Sequence, residues 1–341
     1  MSMITTLIWA ALAFAGEFIP LQFHDETLDQ PILVRVERDG SFLLGTQTRL
    51  YHWTHSGTLI NVISGEEDSA PLNSILGFYY DIQKEIYWIS HNDGFQSAFF
   101  DQKGRFLGVG FLIDETGKHA PVEIRSFVPT RNRVLATGMV DVDLWKNPTV
   151  PLLNQITYEV QSNHRVLVRK LGRAFYSISP NQLRYEYNYK LQWAVEDPYH
   201  GNLYVVDQMT PRIRHFIPAP EGGPDFKELE DEVVSISLPQ YKPPPSGFSR
   251  IRNQNDLDIW LSSWTRVNGL YLYREDFIVG YNITDPGDPA KIKKVAQVIT
   301  RRGRLVGKML ELNGDFIGVY NDLIHVFENA EEGPRIRVLD L

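Results

Sequence analysis

The chain has 341 residues, 43% of them hydrophobic and 12% aromatic, enough apolar surface for a substantial core and too much for a disordered or collagen-like protein. Its 42 acidic and 34 basic residues leave a formal charge of −8, the wrong sign for a general phosphate binder; the densest basic run, Arg301-Arg302-Gly303-Arg304, is short, so nucleic acid is not an expected partner. Cysteine is absent, which excludes disulfides, thiolate metal sites, iron–sulfur clusters and cysteine nucleophiles.

Residues 4–15 form an apolar stretch of 12, shorter than the roughly 20 residues a membrane-crossing helix needs. The length suits the apolar region of a signal peptide, and Ala13-Phe14-Ala15 before Gly16 fits a small-x-small cleavage site. The first Lys or Arg is Arg35, so the usual leading positive charge is missing. Residues 1–15 are therefore either a signal peptide, which would send the protein to the periplasm or the exterior, or a hydrophobic arm packing on the domain or a partner. Export is the leading reading. Residues 16–341 read as one domain without a membrane span, and membrane association would run through a partner or residues 4–15.

From residue 30 onward the chain reads as short runs rich in Val, Ile, Tyr, Phe and Trp, broken by Gly, Asn, Asp and Pro. Ile32-Leu33-Val34-Arg35-Val36, the turn Asp39-Gly40 and Ser41-Phe42-Leu43-Leu44 set the pattern. Only residues 225–233 carry a helical signal, enough for a turn or two. A strand bearing a large residue recurs from positions 50, 95, 156, 213, 278 and 324, at intervals of 45, 61, 57, 65 and 46 residues. Six copies of about 57 residues fill the chain, and each has room for four short strands, the content of a propeller blade. The expected fold is all-β: a six-bladed β-propeller of four-stranded antiparallel blades around a central channel.

The segment Gly201-Asn202-Leu203-Tyr204-Val205-Val206-Asp207, followed by Pro211-Arg212-Ile213-Arg214-His215-Phe216, resembles the repeated core of six-bladed propellers of the NHL and TolB-like kind. Asp315-Phe316-Ile317-Gly318-Val319-Tyr320 with Leu323-Ile324-His325-Val326-Phe327 is a second copy. The resemblance covers most of residues 30–341 and implies a fold rather than an activity. Such a ring must close. The last blade, from Arg304 to Leu341, is expected to hold four strands of its own, leaving Phe18-Ile19-Pro20-Leu21-Gln22-Phe23 as a spare strand along its edge.

Extra length gathers in three places: Asp143 to Pro151 between the second and third strands of blade 3, Pro218 to Glu232 between the third and fourth strands of blade 4, and Asp285 to Pro289 at the same place in blade 5. Strand alternation then puts the loops of blades 4 and 5 on one face and the linker Pro239 to Pro245 on the opposite one. Long loops on a rigid scaffold are where binding usually resides.

Chemistry is sparse. His52 and His55, three apart on a strand, point to opposite faces and cannot share an ion. Asp141 and Asp143 share a face but lack the oxygen-rich loop of a calcium site. Gly108-Val109-Gly110 is a strand position of close packing, and no nucleophile elbow, phosphate loop or dinucleotide fingerprint occurs. Candidate inner segments carry Glu123, Glu196, Asp197, Asp256 and Asp258, carboxylates that either face the channel or, as such residues more often do, sit in rims and turns. Trp260 and Trp264, read as strand residues an even number apart, share a face and belong to the core or to a stacking platform. Asn282-Ile283-Thr284 is a glycosylation sequon whose use depends on the host. No catalytic, cofactor-binding or metal-ligating residue is assigned, and no cofactor is expected. The expectation is a non-enzymatic propeller of the bacterial cell envelope, a scaffold or accessory subunit binding another protein. The alternatives are a metal-dependent propeller hydrolase or lactonase with an ion in the channel, and a binder of glycans or peptides at the channel mouth.

Overall fold

The computed structural model describes residues 16–23, 28, 31–64, 72–91, 96–113, 122–128, 134–140, 153–159, 165–171, 192–219, 226–244, 253–285 and 288–340. The N-terminal stretch 1–15, Asp141, Asp143, the rest of the blade 3 insertion and the middle of the blade 4 loop lie outside them.

The strands run in chain order as β1 (Glu17–Pro20), β2 (Leu33–Val36), β3 (Phe42–Gly45), β4 (Arg49–Trp53), β5 (Leu59–Ser64), β6 (Gly77–Asp81), β7 (Ile86–His91), β8 (Gln96–Asp101) and β9 (Phe106–Ile113). Next come β10 (Val122–Val128), β11 (Val134–Val140), β12 (Leu153–Glu159), β13 (Arg165–Leu171), β14 (Gln192–Glu196), β15 (Leu203–Asp207), β16 (Arg212–Pro218), β17 (Phe226–Glu228) and β18 (Val234–Ser235). After the helix α1 (Gln254–Ser262) follow β19 (Arg266–Tyr273), β20 (Asp276–Asp285), β21 (Asp288–Ile299), β22 (Leu305–Leu312), β23 (Asp315–Tyr320), β24 (Leu323–Ala330) and β25 (Gly333–Leu339).

They make an all-β propeller of antiparallel four-stranded blades. Hydrogen bonding divides them into five sheets: β2 to β5, β14 to β17 with β18 beside β16, β19 to β22, β23 to β25 completed by β1, and one eight-stranded sheet. The eight-stranded sheet consists of two antiparallel runs, β6 to β9 and β10 to β13, joined where β13 pairs in parallel with β9. Connections inside each run are hairpins, so each run begins at the channel and works outward.

The ring closes through the N-terminus, with a correction to the expected strand count. β1 pairs antiparallel with β25, Glu17 opposite Val338 and Pro20 opposite Arg335. The run from Leu305 to Leu312, expected in the last blade, is the outer strand of the preceding sheet, on β21. The last sheet therefore has only three strands from the C-terminus, and β1 is its required fourth strand rather than a spare.

The repeat landmarks also drift in phase. They fall on β4, β8, β12 and β16, each the third strand of its run, but then on β20 and β24, each the second. Because hairpin-linked strands alternate in direction, a shift of one strand moves a loop to the other face. The connection after Asp285 joins the second and third strands, so it leaves on the face opposite the β16–β17 loop and on the same side as the linker that follows β18. Where residues 225–233 are described, they hold β17 and a short 3-10 helix, Glu230–Glu232, in place of the expected helical turns.

Trp260 and Trp264 stand on and just beyond α1, not on a strand. Asn253 caps the helix by accepting a hydrogen bond from the Asp256 N–H at 2.9 Å. A spacing of four shares a face at a helical period as at a strand period, and the two indoles meet at 5.1 Å between ring centroids in a cluster with Met209. They are core residues. The main packing lies between neighbouring sheets: Trp53, Phe42 and Tyr51 meet Ile317, Phe327 and Ile336, while Leu43 and Ile63 meet Phe78 and Tyr87. The inner strands approach closely at Gly318, where φ is +154° and an added Cβ would lie 2.2 Å from a methyl of Val36.

Candidate functional site: the channel and its mouth

Five of the inner strands, β2, β10, β14, β19 and β23, line a cavity of about 920 Å³ along the propeller axis. Period-2 alternation divides β2 between two jobs. Val34 and Val36 pack toward the last sheet, while Arg35 and, just past the strand end, Glu37 turn the other way; all four border the cavity. Arg35 is buried and donates from Nη1 to the carbonyls of Phe78 (3.1 Å) on β6 and Phe127 (2.9 Å) on β10. Those carbonyls belong to inner strands, whose channel-facing edge has no further strand to pair with, so the guanidinium ties three inner strands together.

Glu37, also buried, stands 2.8 Å from Arg35 Nε through Oε1, yet no donor lines up on that oxygen. Burial raises the Glu37 carboxyl above the ordinary range, against the opposing pull of Arg35. Tyr271, on β19, is pushed up to about 12 by burial, with Arg35 opposing. One residue further along the chain, Arg38 reaches from β2 to the end of β14 and donates to Glu196 at 3.1 Å.

At that end of the channel the turn after β14 carries Asp197, buried beneath exposed neighbours. Burial pushes its carboxyl up, but bonds from the Tyr199 N–H and the His200 ring, together with Arg301, outweigh that and hold it below the usual range. Arg301 stacks on Tyr204 and Phe277 with its guanidinium carbon 4.9 and 4.8 Å from the ring centres. A second hollow of about 1090 Å³ opens here, walled by Tyr204, His215, Glu232, Arg274 and Arg302 as well as Arg301. His215 stacks on Tyr204 at 4.6 Å and meets Glu232 at 2.8 Å. Pro198, Tyr199 and Leu272 line both hollows. Tyr199 is 89% exposed, the most exposed large hydrophobic side chain among the described residues.

Of the carboxylates expected to face the channel, Glu196 and Asp197 reach its mouth. Asp256 does not: it is a first-turn residue of α1, away from the cavity wall. The side chains of Glu123 and Asp258 lie outside the described residues. His52 is buried on β4 with its Nδ1 2.7 Å from the Tyr87 hydroxyl, while His55 is exposed in the turn after β4 rather than on the strand, so the expected placement of both on one strand is corrected. Asn282 accepts from Asn268 at 2.8 Å inside β20, a poor position for a glycan. Gly108 lies in β9 at φ +151°, at a bulge against β8. Among the described residues no three His, Cys, Asp or Glu converge as a metal cluster, and no helix is long and apolar enough to cross a membrane.

Sequence reasoning passed over Arg35, Glu37 and Arg38. The signal of the first two is a charge at every second position of an apolar strand, a pattern that equally describes a solvated face.

No family model matches this chain, and no curated protein matches it. Solved structures do. A DUF4221-family member from Bacteroides vulgatus superposes with a TM-score of 0.61 at 10% identity, over 96% of this chain and 97% of that one. A candidate exported protein from Bacteroides fragilis gives 0.56 at 12% identity, over 97% and 96%. The likeness is one of fold. It spans nearly the full length of both chains, and at such identities it carries no residue roles across.

Proposed function

We propose that this chain is an exported propeller of the bacterial cell envelope that works without chemistry of its own, as a scaffold or accessory subunit holding another protein. We count the runs β6 to β9 and β10 to β13 as two blades joined at their outer strands, which makes six in all, of the NHL and TolB-like kind. The observation that carries the functional reading is Tyr199. A large aromatic held 89% exposed, where the channel mouth and the neighbouring hollow meet, has the form of an interface anchor. Its turn is held below by Asp197, so the ring is presented on a fixed base rather than a loose loop. Export accords with the name of the Bacteroides fragilis fold neighbour. The metal-dependent hydrolase has no comparable observation in its favour.

The test is gentle purification from native cells with mass spectrometry of what remains bound, repeated with Tyr199→Ala. A stoichiometric companion lost in the variant, with the melting temperature unchanged, is the expected result. A protein that purifies alone overturns the scaffold reading.

A further inference from the structure

The cavity is open at its mouth and walled in part by ionic groups, and the hydrogen-bond inventory of its buried groups is lopsided. Several donors are spent within the protein: Arg35 on the carbonyls of Phe78 and Phe127, Arg38 on Glu196, Trp193 Nε1 on the Val267 carbonyl at 3.2 Å, and Thr137 Oγ1 on the Gln192 carbonyl at 3.2 Å. The orphans are acceptors. Glu37 Oε1, Gln192 Oε1 and Asn268 Oδ1 have no hydrogen-bond partner, and all three residues line the cavity. Glu37 is 6% and Gln192 7% exposed, so bulk water does not readily serve them. A buried acceptor left unmet costs on the order of 1–3 kcal/mol, a cost a bound molecule with donors would remove.

Charge narrows the chemistry. Arg35 faces Glu37 and Arg38 faces Glu196, so the wall presents both signs already paired. A cation would meet Arg35 beside the carboxylate it sought, and an anion would find both guanidiniums engaged; a neutral molecule meets neither penalty. The remaining wall is aromatic and aliphatic, with Phe127, Trp193, Tyr271, Phe316 and Tyr320 among its members. The complement to such a wall is uncharged, rich in hydroxyl donors and bounded by apolar C–H faces.

We propose that the central cavity is a binding site for a short neutral oligosaccharide, which would donate hydroxyls to Glu37, Gln192 and Asn268 and lay its sugar faces on the aromatic wall. A volume of about 920 Å³ lies within the range of small-molecule sites. Gln192 and Glu196 stand four residues apart on β14, about 13 Å along an extended strand, so this stretch of the cavity wall is long enough for two or three sugar rings rather than one. This assignment concerns the channel interior and does not depend on the protein partner proposed above.

The test is a printed array of neutral and charged glycans probed with the labelled full chain, followed by calorimetry with the strongest hit. The expected result is a neutral hit binding one per chain, quenching tryptophan fluorescence through Trp193. Gln192→Leu, which removes an acceptor at similar volume, should weaken it by about tenfold or more. Leu272→Trp, which fills the cavity end, should abolish it while circular dichroism stays that of the parent. An array without a neutral hit, a hit confined to charged glycans, or binding indifferent to both variants overturns the proposal.

Discussion

Arg38 and Glu196, 158 positions apart in sequence, meet at 3.1 Å across one mouth of the channel. The two sit at the ends of β2 and β14, inner strands that are not sequential neighbours in the ring, so a single ion pair braces the fold across its axis. The arginine side chain is 39% exposed and the glutamate 3%, so the pair is screened on one side only. Replacing Arg38 with Met removes the guanidinium from a carboxylate that remains buried, and the expected loss is about 1–3 kcal/mol. Glu196→Gln should cost less, because its amide oxygen still accepts. Urea denaturation of both variants gives the comparison, and an unchanged midpoint for Arg38→Met would show that the brace contributes nothing.

Closure by the N-terminus predicts a specific truncation phenotype. Removing residues 16–23 strips β1 from β25, takes away the buried Leu21 and frees Trp53 Nε1, which donates to the Gln22 carbonyl at 2.7 Å. An open blade edge and an orphaned indole should lower the melting temperature by about 5 °C or more and promote edge-to-edge association. Calorimetry with light scattering reads both, and a truncated chain melting like the parent would contradict the closure.

Gly57 offers a sharper probe of the same junction. Its φ is +84°, and an added Cβ would lie 2.1 Å from the Pro20 carbonyl oxygen, against backbone that cannot rotate aside. Its own carbonyl accepts from the Gln22 N–H at 2.9 Å. Gly57→Ala should therefore cost about 2 kcal/mol or more, through both strain and displacement of the N-terminal strand. A cost of only a few tenths, as at an exposed turn, would mean the strand is not held there.

Buried histidines give a pH dependence whose sign follows from their surroundings. Burial lowers His52 from 6.5 to about 4, with a minor opposing pull from Asp39, and burial also lowers His91 and His325. The unfolded chain takes up protons near pH 6.5 while folded His52 resists until about pH 4. Stability is thus fully present above 6.5 and falls as the pH drops between those values, by about 3 kcal/mol for His52 alone. His52→Phe should flatten the slope between pH 6.5 and 4, as measured by urea midpoints at a series of pH values. A variant with the parent's slope would assign the effect elsewhere.

Some of the fold was legible because it rests on local pattern. Asp39-Gly40 lies at the turn between β2 and β3, and Gly201-Asn202 just ahead of β15, because turn residues and alternating apolar runs act within a few positions. The helix was misread as strand although Asn253, three before Asp256, is a recognisable cap; Ile259 to Trp264 alone cannot separate a period of 2 from one of 3.6. The phase drift at β20 and β24 was hidden for a related reason, since second and third strands are both buried and both rich in large apolar residues.

By itself, the sequence determined that this protein is a ring of short antiparallel strands, and that an N-terminal strand stood available to close it. Both follow from composition and periodicity, which record how each residue meets its immediate neighbours. Only the tertiary structure decided that Arg35, Glu37 and Gln192 line one cavity, that Arg38 finds Glu196, and that β1 is a required strand. Those relations join positions tens to hundreds of residues apart. A charge alternating along an apolar strand looks the same whether water or the opposite wall of a channel faces it.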